Sequence, residues 1–323
     1  MPAPKGSLTD YGKITPEVFM QEFTAIGAAA MAKKYDLDLR GVYSRRRRIE
    51  EAMGMVMKPP TRGGHWQQLD RHPAAIKISI LDGHILIGSD SHYSPGIVST
   101  AHKAFLEIAK QFKPKIIIKN GDELDFPSIS RFAHGWESRP DVAEEIKYTN
   151  TMLGEIEKTC PRARLLWPVG NHDSRLETKI ATVAPELAKL KGVHLRDHFN
   201  KRWEPCFAVF VNDDVVVKHR LKGGMYAPRN NTMYAGKTII TGHLHSLKVW
   251  PHSDYRGTRW GVDCGTMADP YGPQFSGYTE LNPLDWRSGF VLLTFQKGRL
   301  LWPEIIWVSG PDEYEFRGQI CKV

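Results

Sequence analysis

The sequence predicts an α/β protein: a layered sheet-and-helix domain preceded by a small all-α domain. Three observations predict it. Helical periodicity without strand signals fills residues 15–57. From Ile76 onward, short apolar runs bounded by Gly, Asp and Asn alternate with helical patterns. After about residue 200, strand-like runs dominate. This mixed order argues a sheet-and-helix domain of about 250 residues. The expected organisation is a helical domain over 1–57, a Pro- and Gly-bearing linker over 58–75, and the main domain over 76–323.

Taken in order, Thr15-Pro16-Glu17 reads as a helix start. Thr can cap, Pro suits the first helical position, and an acid suits the positive end of the helix dipole. Phe19, Phe23, Ile26 and Ala30 then share one helical face. Gly27 leaves open one helix or two. A polar turn, Tyr35-Asp36-Leu37-Asp38, precedes a second helix capped by Asp38, with Val42, Ile49 and Met53 inward. In the main domain, Ile76, Ile78 and Ile80 alternate with other residues, then Asp82-Gly83, then Ile85 and Ile87. Asp-Gly between two such runs signals a hairpin. Helices are expected over 97–112 and 141–158. Strands are expected over 115–119 and 164–169, and near 206–218, 237–241, 259–264, 289–296 and 303–308.

Composition narrows the function classes. Of 323 residues, 41% are hydrophobic and 25% charged, which excludes a disordered chain. The net charge of +8 favours an anionic partner. The cysteines Cys160, Cys206, Cys264 and Cys321 form no C-x-x-C pair, which excludes a zinc ribbon or thioredoxin motif and fits a reducing compartment. No secretory signal and no apolar run of membrane-spanning length is visible, so a soluble, cytoplasmic protein is expected.

The chemistry gathers at strand ends. One strand ends in Asp90-Ser91-His92, the next in Gly121-Asp122-Glu123-Leu124-Asp125, a third in Gly170-Asn171-His172-Asp173. Val215-Val216-Val217-Lys218 ends in His219, and Thr238-Ile239-Ile240 leads to Gly242-His243-Leu244-His245. Ligands of α/β sheets bind at the carboxyl ends of strands. Asp, Asn and His together suit divalent Mn²⁺, Fe²⁺ or Zn²⁺. A carboxylate can bridge two such cations, and a cation pair can activate a water for in-line attack on phosphorus. The x-spaced pairs Asp90/His92 and His243/His245 would each share one side of an extended segment. Glycines beside them would let the backbone turn off the strand.

The ordered set Asp-x-His, Gly-Asp-x-x-Asp, Gly-Asn-His-Asp, a lone His, and Gly-His-x-His resembles the calcineurin-like metallophosphoesterase superfamily over about residues 80–310. The resemblance implies a four-layer α/β/β/α sandwich with two metal ions. It implies Asp90, His92 and His245 at the first metal, Asp122 as the bridge, and Asn171, His219 and His243 at the second. It makes His172 the acid/base or phosphate-contacting histidine, with Asp173 set to orient it. Asp125 is expected behind the ligands rather than among them. Phe126 after Asp125 and Arg220 after His219 depart from the family pattern and bear on loop shape and substrate.

Residues 28–50 resemble a helix-turn-helix: small residues, a short turn, then a basic helix. Residues 33–48 hold seven Lys/Arg against two Asp, a net of +5. Lys33, Lys34, Arg45, Arg46, Arg47 and Arg48 would then meet DNA phosphates. Gly is missing from the turn and Gly41 lies inside the second helix; a helical cap with a solvated basic face is the other reading. The loop 126–140 carries Arg131, Phe132, His134, Trp136 and Arg139, which could grip a nucleic-acid strand or simply pack. The stretch from Trp286 to Trp307 is expected to close the core without chemistry. The function these features point to is a metal-dependent nuclease or processing phosphatase on nucleic acid. The alternative is a phosphatase or phosphodiesterase on a small molecule or phosphoprotein.

Overall fold

The computed structural model describes residues 14–57, 72–131, 139–275, 279, 282 and 284–323. The chain forms two compact units, Met1–Leu69 and Asp70–Val323. The expected linker falls mostly outside the described residues.

The first unit is helical. Helix α1 (Pro16–Lys34) starts where Thr15 accepts from the Val18 N–H. It is broken at Gly27, whose φ of 77° and ψ of 170° are not helical. The break resets the helical phase. Phe19 and Phe23 are buried before it, but Ala28 and Met31 after it, and Ala30 is exposed rather than inward. Helix α2 (Leu39–Met53) is capped by the Asp38 side chain and stopped by left-handed Gly54. Val42 and Ile49 close the core with Met57. Met53, expected inward, is 46% exposed because the helix ends there and Met57 takes its place.

The second unit has two sheets. In chain order its elements begin with β1 (Ala75–Ile78), β2 (Gly83–Gly88), α3 (Thr100–Phe112), β3 (Ile116–Lys119), α4 (Val142–Thr159) and β4 (Arg164–Pro168). Then come α5 (Arg175–Val183), β5 (Trp203–Cys206), β6 (Ala208–Val211), β7 (Val215–Val217), α6 (Ala227–Ala235) and β8 (Thr238–Thr241). The last are β9 (Lys248–Asp254), β10 (Gly257–Asp263), β11 (Gly289–Gln296), β12 (Arg299–Leu300), β13 (Glu304–Gly310), β14 (Glu313–Phe316) and β15 (Gln319–Lys322). One sheet runs β15-β14-β13-β11-β2-β3-β4-β5, with β12 beside β11; the other runs β1-β6-β7-β8-β10-β9.

Strand burial shows the layering. Leu86, Ile117, Leu165, Phe290 and Leu292 point to a core shared with α3 and α4. Their neighbours Ile85, Ile87, Ile118, Leu166, Val291 and Leu293 join Val209, Val217, Ile240 and Val262 between the two sheets. Helix α6 packs on β8, β9 and β10. The order is thus α/β/β/α. Strands covered on both faces read as unbroken apolar runs, which is what Ile116-Ile117-Ile118 is. Each such side chain contributes about 1.5–3 kcal/mol by burial.

The expected hairpin at Asp82-Gly83 does not form. Strand β1 pairs in parallel with β6, while β2 pairs with β3 and β11 in the other sheet. The turn carries the chain between sheets, held by the Lys297 N–H donating to Asp82. Both runs alternate because both face the same inter-sheet core. Among the described residues no helix is long and apolar enough to cross a membrane.

Candidate metal centre

The site is assembled from loops that leave β2, β3 and β4 of one sheet and β7 and β8 of the other. Past the end of β2 the backbone stays paired with the next loop: Asp90 N–H donates to Gly121 O and His92 N–H to Asp122 O, at 2.8 and 3.0 Å. Within the second sheet, Gly242 N–H donates to His219 O, and across the sheets His243 N–H donates to the Asp90 carboxylate, both at 2.8 Å.

Three groups of donors result, each with its atoms within 4.8 Å of one another: Asp90, His92 and His245; Asp122, His219 and His243; and His92, Asp125 and His172. Asp90, His92, Asp122, His243 and His245 all have positive φ, between 41° and 72°. Left-handed backbone is uncommon outside Gly, and clusters of it mark functional sites. These residues are therefore not on extended segments, as the x-spacing suggested. Each pair converges because its backbone is left-handed.

The flanking glycines matter for room. A Cβ on Gly170 would sit 2.0 Å from Asp122 Oδ1, and one on Gly242 2.4 Å from Asp90 Oδ2. Neither has positive φ, so closeness to the carboxylates, and at Gly242 also to Ser89 Oγ, requires glycine there, whereas Gly121, at φ 86°, turns the backbone as expected.

The donor set fits divalent cations. His92 Nε2 and Asn171 Oδ1 are buried without a hydrogen-bond partner. Unpaired buried polar atoms are costly and call for a partner. Asp122 Oδ2 lies 3.0 Å from His219 Nε2, an ion-pair distance. His219 Nδ1 contacts Asn120 O at 2.8 Å, which fixes the ring and leaves Nε2 toward Asp122. His172 N–H donates to Asp122 Oδ1, so Asn171 is bracketed by contacts to that carboxylate.

The charges answer one another. Burial pushes the Asp90 carboxyl up, but His245 and His219 more than offset it and hold it at about 2. Burial likewise opposes ionisation of Asp122, and His219 outweighs it, keeping the carboxyl far below the usual range. Burial pulls His219 down, while Asp122 and Asp90 push it to about 10. The site is an anionic nest that takes up positive charge.

His172 is oriented by a residue other than the one expected. Its Nδ1 lies 2.5 Å from Asp125 Oδ1, and Asp125 Oδ1 also lies 3.4 Å from His92 Nδ1. Asp173 does not hold the ring. Its buried carboxylate accepts from the backbone N–H groups of Asp122, Glu123, Leu124 and Gly170 and from Trp167 Nε1. It braces the loop after β3 against the loop after β4.

Sequence reasoning missed four residues. Arg175 donates to Asp125 O at 2.6 Å and lies 3.3 Å from His172 Nε2. Lys119, the one cation in an apolar strand, pairs with Glu123 at 3.1 Å and donates to Ser91 Oγ, all within the core. Burial raises Glu123 to about 7 despite that lysine. Phe275 stacks edge-on against His92 and Trp286 against His245, with centroids 5.2 and 4.3 Å away. Trp286 thus walls the site, contrary to the purely structural role expected for it. Phe132, His134 and Trp136 lie outside the described residues. His102, fully buried, is satisfied by Tyr93 and Glu155, as a core histidine should be.

The basic helix is partly committed to its own domain. The Arg45 and Arg46 guanidinium groups lie 5.5 and 5.2 Å over the Phe19 and Phe23 rings. Arg46 also pairs with Glu50, and Lys34 with Glu22, each at 2.8 Å. Lys33, Arg40, Arg47 and Arg48 are exposed.

No family model matches the chain. It is similar to the gene 54 protein of Mycobacterium phage L5, 25% identical over 250 residues that span 68% of this chain and 92% of that one. The gene 54 protein of Mycobacterium phage D29 is 26% identical over 242 residues, with the same shares. Among solved structures it is similar to wild-type Vps29 complexed with zinc from Entamoeba histolytica, with a TM-score of 0.38, 14% identity, and 74% and 96% of the two chains covered. It is also similar to the Pseudomonas putida nuclease MPE, with a TM-score of 0.31, 14% identity, and 68% and 86% covered. At these scores the function must be read from the side chains of the site.

Proposed function

We propose that this chain is a dinuclear-metal phosphoesterase of the calcineurin-like kind that acts on nucleic acid. The observation that carries it is the pair of Asp/His/His groups on one rim, with buried His92 Nε2 and Asn171 Oδ1 left without a hydrogen-bond partner. Asp90, His92 and His245 would hold one cation, and Asn171, His219 and His243 the other, with Asp122 shared. Bound there, divalent ions, Mn²⁺ foremost, supply charge stabilisation on phosphorus and an activated water. The chain's own residues do the rest. Asp125 anchors His172 Nδ1; Nε2, 3.3 Å from Arg175 Nη2, would hand a proton to the leaving oxygen once it is protonated and clear of that arginine. Arg175, beside that atom, adds positive charge where phosphate oxygens would lie. A phage enzyme of this kind would work in the host cytoplasm.

Metal uptake should be linked to protons. Without metal, His219 is protonated at pH 7, since its value is raised to about 10. A ligand imidazole must be neutral. Binding of Mn²⁺ should therefore release about one proton per chain at pH 7, and affinity should rise with pH up to that value. Calorimetric titration in buffers of different ionisation enthalpy measures the release. No release would remove His219 from the ligand set.

Nucleic-acid binding by the basic helix has its own test. Arg47→Ala with Arg48→Ala removes exposed charge without touching the Phe19 and Phe23 contacts of Arg45 and Arg46. Each lost phosphate contact should flatten the log–log salt dependence of duplex binding by about 0.9. An unchanged slope would make this face a solvated one.

A further inference from the structure

We propose that the segment leaving β7 is a second phosphate-binding site, which holds the phosphodiester chain flanking the bond under attack. The proposal rests on the phosphoesterase reading and narrows its substrate to a polyphosphodiester strand rather than a monoester.

Lys218, Arg220 and Lys222 take every second position along this segment, on either side of buried His219 and exposed Leu221. Together with Leu221, Leu244 and the candidate ligand His243 they line a groove of 430 Å³. The groove therefore opens directly onto the metal centre. No acidic side chain lines it. Among the described residues, none of its three cations forms an ion pair, whereas Arg175, on the other side of the site, is paired with Asp125.

The segment is also rigidly mounted. Asn231, 1% exposed, accepts from Lys222 N–H at 3.0 Å and donates to Lys222 O at 3.3 Å. Lys222 Nζ rests 3.9 Å over the Tyr234 ring. On the other side, His219 O accepts from Gly242 N–H. Cations presented on a fixed backbone lose little freedom when they bind.

Charge counting decides what they bind. The phosphoryl group under attack meets its countercharge at the metal ions. Three further unpaired cations then have no anion to neutralise on a small ester. A strand supplies one phosphate per nucleotide, and a phosphate flanking the reacting one would reach the groove that His243 shares. Lys218, half-buried and next to His219, meets the nearer phosphate, and exposed Arg220 and Lys222 meet the next.

The test uses the full chain loaded with Mn²⁺, as wild type and as the double variant Arg220→Gln with Lys222→Gln. Steady-state rates are measured on bis(p-nitrophenyl) phosphate and on a short single-stranded oligodeoxynucleotide, over a range of salt. In the double variant, kcat/KM on the oligonucleotide relative to the small diester should fall about tenfold or more, through KM. Its log–log salt slope should flatten by about 1.4, at about 0.7 per contact on single strands. Arg220→Lys, which keeps the charge, should retain most of the wild-type slope. An unchanged ratio and slope would overturn the groove while leaving the phosphoesterase reading intact. Wild type inert on both substrates would overturn that reading, and the groove proposal with it.

Discussion

Replacing Asp122 by Asn is expected to lower metal-dependent hydrolysis by on the order of 10⁴-fold. The substitution is nearly isosteric. Asn tolerates the φ of 54° at this position, and its carbonyl can still accept from His172 N–H. The backbone N–H still reaches Asp173. What disappears is the anion that His219 faces at 3.0 Å and that would serve both cations. A carboxamide offers one oxygen and no charge. Losing several kcal/mol of charge stabilisation at about 1.4 kcal/mol per decade gives the stated size. Metal content should fall in parallel. Near-wild-type turnover with full metal content would refute the shared-carboxylate arrangement.

His172→Ala separates binding from proton transfer. The ring hangs from Asp125 at the edge of the centre, and its Nε2 lies 3.9 Å from Asp122 Oδ2. Both metal ions should remain, while kcat falls by about 10²–10⁴, the usual range for a general acid. Asp125→Asn should give a smaller loss in the same parameter, since it frees the ring without removing it. If His172→Ala halved the metal content, His172 would be a ligand and its acid role would fail.

Much of this site was legible because its residues sit in short motifs after apolar strands, and a strand covered on both faces is hard to mistake. Thr15 and Asp38 cap as their side chains dictate. What was not legible is what depends on contacts between distant segments. The Asp82-Gly83 turn has hairpin chemistry, but β6 claims the strand before it and β3 and β11 the strand after it, in different sheets. Asp173 looked like the partner of its neighbour His172, but three successive N–H groups after β3 claim it. Arg175 carried no signal, since a lone arginine opening a helix is ordinary. The break at Gly27 moved burial from Ala30 to Ala28 and Met31, which only a φ of 77° could disclose. The candidate ligands Asp90, His92, Asp122, His243 and His245 follow the same rule: the spacing suggested extended segments, but left-handed backbone is what gathers them.

The most direct measurement is the stoichiometry of Mn²⁺ on the full chain after chelator stripping, by calorimetric titration checked against elemental analysis. The account predicts two equivalents per chain, bound by Asp90, His92 and His245 on one side, by Asn171, His219 and His243 on the other, and by Asp122 between them. One equivalent, or none, would contradict it.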